Sequence, residues 1–265
     1  MTLKYELFGK EDGNFICHLP NPTPTFFESI KRIRRQIPEI QSIFSPRSAF
    51  TNELARLSEG TRKIMPPHPI NYSGLEAMTV YKSQKAADGM VVESKGQAIA
   101  VFTADCPTTT VYEGVNGRLA VLHCGFRSLV REDQDEMNII ESVFYLPEFE
   151  PEQVEVFVGF GIGPCCYGAA HWPEVQRGTI IARNGREMTL PLSRAIRGPR
   201  KGQTSLDLYA LIRSELIKCG VPSNQIVVDR TCTACAGRSE GKGRYYSRVW
   251  EGVGQGANAA VAWFV

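Results

Sequence analysis

No stretch of this chain approaches the roughly 18 consecutive apolar residues that a membrane-spanning helix needs. The opening MTLKYELFGKEDG is mixed in character and does not read as a secretory leader, so a soluble cytoplasmic protein with no membrane partner is expected. Charge of one sign is scarce as well. Thirty Lys and Arg face 28 Asp and Glu, and the net charge of +2 argues against a nucleic-acid partner. Internal repeats, low-complexity tracts and linker-like composition are all missing. Eight cysteines in 265 residues do not read as a disulfide framework without a leader, so reduced thiols are expected. A second C-x-x-C is missing too. Cys232-Thr-Ala-Cys235 therefore stands as a redox pair, as half of a metal site or, the preferred reading, as structural thiols.

What remains is ordinary globular material, 43% apolar and 22% charged. Hydrophobic spacing predicts a helix from Phe26 to Ile37, with Lys31, Arg32, Arg34 and Arg35 outward. Further helices are expected over Asn52–Glu59, closed by Gly60, over Glu132–Tyr145, and from Asp207 to Gly220. Residues 4–18 read as a strand pair around Asp12-Gly13, with Phe8, Phe15 and Cys17 inward. A hairpin is expected at Asn184-Gly185, and strands at 78–81, 154–159, 225–229 and 259–265. Strands and helices alternate irregularly. The expected class is α+β, mixed β-sheets with hairpins flanked by helices, as one domain over residues 1–265.

Residues 97–129 organise the chain. Ala98–Phe102 suits a buried strand and ends in Thr103-Ala104-Asp105-Cys106-Pro107, where proline breaks any ladder. Thr108–Tyr112 and Leu119–His123 flank Asn116-Gly117, a two-residue hairpin signal that sets Thr110 opposite His123. Cys106 and His123 then meet at the open end of two strands, where scaffolds tend to place reactive groups. Three readings stay open at this point. Cys106 is a nucleophile with a histidine base, or both residues are metal ligands, or they are a buried thiol and a satisfied core histidine. His68, among the prolines of IMPPHPINYSG, is a further candidate ligand. Gly161-Ile162-Gly163-Pro164-Cys165-Cys166 resembles an anion-cradling loop but fits neither dinucleotide nor P-loop spacing.

The motifs ADGMVV, TADCP, HCGFRSL, GIGPCCYG, SLDL and YYSRVW occur in this order, and over residues 87–265 the chain resembles the YfiH-type "laccase domain" proteins. Residues 1–86 match poorly. That family includes purine nucleoside phosphorylases, and the resemblance implies a metal held by Cys106, His123 and His68. It therefore implies a Zn2+-dependent phosphorylase acting on adenosine or inosine with phosphate, with hydrolytic deamination of adenosine as an additional activity that such a metal would suit. Arg127, Arg47 and Arg248, with backbone amides of Gly163 to Cys166 other than Pro164, become candidate phosphate or substrate contacts. Asp105 becomes a candidate base or histidine-orienting group. Copper is disfavoured, because four histidines cannot build a blue site plus a trinuclear cluster. This chain departs from the family pattern in having Phe126 for a tryptophan, Cys124 for a small residue, and SRVW for SYRR. The alternatives are a cysteine hydrolase using Cys106 and His123, and a non-catalytic binding protein on the same fold.

Overall fold

The computed structural model describes residues 2–15, 24–47, 54–56, 61–63, 79–130, 137–181, 185, 187–238, 243–252 and 256–265. From the amino end run β1 (Leu3–Phe8), α1 (Pro24–Gln36), β2 (Ser42–Arg47), β3 (Leu54–Arg56), β4 (Thr61–Lys63), β5 (Thr79–Ala86), β6 (Gly89–Val92) and β7 (Gln97–Thr103). The next are β8 (Thr108–Glu113), β9 (Arg118–His123), α2 (Phe126–Leu129), α3 (Ile139–Phe144), β10 (Val154–Val158), α4 (Pro173–Arg177), β11 (Thr179–Ile181) and β12 (Glu187–Thr189). The chain closes with β13 (Leu192–Arg194), β14 (Thr204–Leu206), α5 (Leu208–Lys218), β15 (Ile226–Val228), α6 (Arg248–Glu251) and β16 (Asn258–Phe264).

Two six-stranded sheets carry the architecture, in the orders β1-β16-β7-β2-β5-β4 and β15-β10-β8-β9-β6-β3. Both are mixed: β2 runs parallel to β5 and β7, β3 to β6, and β10 to β15, while the other pairs are antiparallel. The α+β expectation with mixed sheets and hairpins therefore holds. Side chains alternate across a strand, and β7 and β9 are covered on both faces. Ile99 and Val101 of β7 meet Leu119 and Val121 of β9 between the sheets. Ala98 and Ala100 point the other way, onto Phe26, Phe27, Ile30 and Ile33 of α1. On the far side, Ala120 and Leu122 of β9 join a core with α2, α3 and α5. Burial on both faces explains why β7 and β9 read as nearly continuous apolar runs. Each fully buried Phe or Ile of α1 contributes about 1.5–3 kcal/mol, which fixes that helix on its sheet.

Three local expectations are corrected. β1 does not fold back on itself at Asp12-Gly13; it pairs with β16, Leu3 opposite Phe264, and Lys10–Asp12 forms a short 3-10 turn. Leu54–Arg56 is a strand, paired parallel with Gly89–Val91, where a helix was expected. In both cases pairing with a distant strand outweighs local propensity. The helix expected over Glu132–Tyr145 is described only from Ile139, after an Asn138 side chain that accepts from the amides of Ile140 and Glu141. Cys17 and residues 131–136 lie outside the described residues.

Candidate active site

The β8–β9 hairpin puts the reactive groups closer together than its turn signal predicts. Thr108, not Thr110, faces His123, because the loop spans four residues, Gly114–Gly117. The Glu113 carboxylate accepts from the Val115 amide at 2.7 Å and from the Asn116 amide at 3.0 Å, which holds the wider turn. The two-residue slip keeps every side chain on its expected face. It also brings the Cys106 loop two residues nearer to His123. The Cys124 amide donates to the Pro107 carbonyl at 2.8 Å and joins the two loops. Gly125 is needed beside them, because a Cβ there would lie 3.2 Å from Cys106 Sγ and 3.4 Å from His123 Cε1. His123 is buried and Cys106 half-buried, so the sulfur is the more accessible partner.

Asp88, fully buried where the chain enters β6, orients the imidazole. One carboxylate oxygen lies 3.1 Å from His123 Nδ1, and the other accepts from Ser128 Oγ at 2.8 Å. Its carbonyl also takes the His123 amide at 2.6 Å. Nδ1 is thus committed to Asp88, and the ring also hydrogen-bonds to Cys106. Burial by itself would lower the pKa of His123. The neighbouring Cys106 sulfur and the hydrogen bond to Asp88 outweigh it and push the pKa up to about 10. In the sequence Asp88 is visible only as a member of the ADGMVV motif. The available signal was an Asp-Gly step directly before a strand in the ADGMVV motif.

Asp105 has a different task. It sits at φ 91°, a left-handed conformation that only short polar residues tolerate besides glycine. Its carboxylate accepts from Thr233 Oγ1 at 2.6 Å and from the Val249 amide at 2.8 Å. Burial raises its pKa against these bonds. The side chain therefore pins the Cys106 loop to the 232–238 turn and to the start of α6.

Arg127 lies over the Trp172 ring, 4.5 Å from the centroid, and 3.6 Å from Glu174. Trp172 in turn packs against Phe126 at 5.4 Å and donates to Tyr167 Oη at 3.2 Å. Burial pushes the Tyr167 hydroxyl up to about 12, with Cys106 adding to the rise. Phe126, Trp172 and Tyr167 thus form an aromatic wall running toward Cys106, and Trp172 was not singled out in the sequence. Arg248 is exposed at the start of α6. Arg47 ends β2, with its side chain outside the described set, and His68 lies outside the described residues altogether. The structure thus brings Cys106 and His123 together and leaves the His68 assignment as it stood.

Gly163 and Cys166 belong to a second centre. The amides of Cys166 and Tyr167 both donate to the Gly163 carbonyl at 3.0 Å, which closes a tight turn. The sulfurs of Cys165, Cys166, Cys232 and Cys235 all lie within 4.8 Å of one another, a cluster able to bind a metal ion. The Cys166 thiol hydrogen-bonds to Cys232 and draws the Cys232 pKa down to about 5. Tyr209 of α5 holds the two contributing loops together. Its hydroxyl accepts from the Gly161 amide at 2.7 Å and faces the carbonyls of Gly161 and Thr231 at 3.0 Å. Tyr209→Phe leaves these buried groups short of a partner. It is expected to lower unfolding free energy by about 1–3 kcal/mol in a denaturant titration.

A family model described as "Multi-copper polyphenol oxidoreductase laccase" matches residues 62–265. The chain belongs to that family. Among curated relatives, "Purine nucleoside phosphorylase YlmD" of Geobacillus stearothermophilus is 28% identical over 152 residues, 56% of this chain and 51% of the relative. "Adenosine deaminase RL5", from an unknown prokaryotic organism, is 26% identical over 151 residues, 57% of this chain and 54% of the relative. The chain spans about half the length of the curated relatives it matches. The crystal structure of Bacillus licheniformis hypothetical protein YfiH superposes with a TM-score of 0.69 at 18% identity. It covers 99% of this chain and 93% of the other, a shared fold. Among the described residues no helix is long and apolar enough to cross a membrane.

Membership in this laccase family corrects the cofactor expectation. Zn2+ was preferred and copper set aside, yet the matching family model is one of copper oxidoreductases, which restores copper as a candidate cofactor. The four-thiol cluster does not single out zinc either, because soft thiolate ligands also select Cu(I) and iron–sulfur clusters. The histidine count bears only on a multinuclear histidine-rich site. It says nothing against a single ion held by sulfur.

Proposed function

We propose that the protein is a purine nucleoside phosphorylase whose reacting centre is Cys106, His123 and Asp88. The observation that carries this reading is the convergence of a half-buried sulfur and a carboxylate-oriented imidazole beside an aromatic wall. A purine ring stacks well on such a wall, because its π-face meets Trp and Tyr at little conformational cost. Arg127 lies on the rim of that wall, and Arg200 is close enough for its charge to act on Tyr167 and His171. Two guanidiniums beside a base-stacking surface suit an anion such as phosphate. In phosphorolysis a phosphate oxygen bonds to the ribose carbon, and the base departs with the electron pair of the broken bond and takes up a proton.

Cys106 Sγ and His123 Nε2 are adjacent donors and fit a metal ion. When bound, such an ion supplies Lewis-acid polarisation or a more acidic water. The protein's own contribution is to fix the imidazole through Asp88 and Ser128. Asp105 holds the sulfur-bearing loop in place, and the aromatic wall positions the base. The relatives named for phosphorolysis and for adenosine deamination support this substrate class.

Incubation of the purified protein with inosine or adenosine, with and without phosphate, tests the proposal. Release of free base that depends on phosphate is expected, with ammonia measured separately for deamination. No turnover of either nucleoside rejects it. A second reading rests on the raised pKa of His123: a charged imidazole beside a thiol is the pairing of a cysteine hydrolase. Stoichiometric alkylation of Cys106 without loss of metal favours that reading.

A further inference from the structure

Four cysteines from two distant segments converge on loops that Asp105 and Thr233 tie to the Cys106 loop. Cys165 and Cys166 come from the loop after β10, and Cys232 and Cys235 from the turn after β15. The sulfur separations are 3.7 Å for Cys165 to Cys166 and 3.8 Å for Cys165 to Cys235, with every sulfur inside 4.8 Å of the others. Four sulfurs placed tetrahedrally around an ion at roughly 2.3 Å stand about 3.8 Å apart, so this spacing already approximates a coordination shell. None of the four is in a disulfide.

The backbone around them is built in the same sense. The amides of Gly163 and Cys235 hydrogen-bond to the Cys232 sulfur, and those of Cys235 and Ala236 turn back onto the Cys232 carbonyl at 3.2 and 2.9 Å. Gly163 is packed against the cluster, because a Cβ there would lie 3.3 Å from Cys165 Sγ and 3.5 Å from Cys232 Sγ. Outer-shell donors of this kind orient ligands and are part of a site's construction. Cys166 and Cys232 are buried, while Cys165 and Cys235 are partly exposed, which leaves a path for an ion.

We infer that Cys165, Cys166, Cys232 and Cys235 form a closed four-thiolate site for a single soft metal ion of the class to which Cu(I) belongs. The site is structural and distinct from the Cys106–His123 centre. Binding releases thiol protons to solvent and forms metal–sulfur bonds; no electron transfer is involved. With all four positions taken by protein there is no corner for substrate, unlike a catalytic site. The ion joins the 161–167 loop to the 232–238 turn, which Gly161 and Cys232 already bridge. This inference does not depend on the proposed reaction.

The test uses the reduced, metal-free full-length chain carrying Cys106→Ala, with Cd2+ as the probe and iodoacetamide alkylation mapped by peptide. One Cd2+ per chain is expected to slow alkylation of Cys165, Cys166, Cys232 and Cys235 together, by about 100-fold at a hundredfold excess over Kd. Cys165→Ser/Cys235→Ser is expected to lose that ion and its sulfur-to-cadmium absorption. The protection experiment needs no change within the cluster, so it decides the matter even if the double variant fails to fold. Unchanged alkylation of the four, protection of Cys232 and Cys235 alone, or a chain lighter by two hydrogens from a disulfide within the set would each overturn the inference.

Discussion

Cys106→Ala is expected to reduce phosphate-dependent base release by on the order of 10³-fold or more while leaving the melting temperature nearly unchanged. The sulfur is half-buried and lies beside His123 and Gly125, not inside either core. Its loss therefore removes chemistry and little packing. Cys124 gives the contrasting case one strand step away. It is fully buried, its sulfur lies 3.2 Å from Thr109 Oγ1, and burial pushes its pKa up to about 12. Cys124→Ala should cost about 1 kcal/mol of stability as a small hydrophobe lost from the core and should keep turnover. Steady-state kinetics beside thermal unfolding of the two variants separates these outcomes. Equal losses of stability would mean that Cys106 is merely another core thiol.

Asp88→Asn has the second largest expected effect, about 10–100-fold in kcat/KM, the usual cost of losing an orienting partner of a functional histidine. The Asp88 carboxylate accepts from both His123 Nδ1 and Ser128 Oγ. An amide has only one acceptor oxygen for these two donors. If its NH2 turns to the imidazole, two donors face each other, so the charged form of the ring loses the carboxylate that supports it and the ring loses its fixed orientation toward Cys106. Ser128→Ala removes one support of the carboxylate and leaves the tautomer intact, so a loss of only a few-fold is expected, about 1 kcal/mol. Kinetics of the two variants at one pH decides between this role and a purely structural one. An unaffected Asp88→Asn enzyme would remove Asp88 from the mechanism.

Much of this was legible from local pattern. The spacing of Phe26, Phe27, Ile30, Ile33 and Ile37 gave α1 and its buried face, because helical periodicity is a property of neighbouring residues. Proline after Cys106 and the β-branched runs around Asn116-Gly117 placed a cysteine and a histidine at one end of a hairpin. What escaped was non-local. Cys232 and Cys235 read as structural thiols in preference to half a metal site, because their partners are adjacent cysteines on another loop, not a second C-x-x-C. Leu54–Arg56 becomes a strand only because β6 is there to pair with it, and β1 finds its partner at the opposite end of the chain. Asp88 reads as a turn residue until the β6–β9 pairing sets Gly89 opposite Leu122 and carries it to His123. Asp105 was a candidate base or histidine-orienting group in the sequence, and the partners that the fold brings to it, Thr233 and Val249, are again non-local.

The proposed activity requires one sulfur and one oriented imidazole to serve the transfer of a ribosyl group to phosphate. The direct measurement is the identity of the sugar product from inosine in phosphate buffer, for the parent chain and for Cys106→Ala. Ribose 1-phosphate formed in equal amount with hypoxanthine by the parent chain, and absent with Cys106→Ala, is the predicted result. Free ribose as the product, or ribose 1-phosphate formed equally well without Cys106, would contradict it.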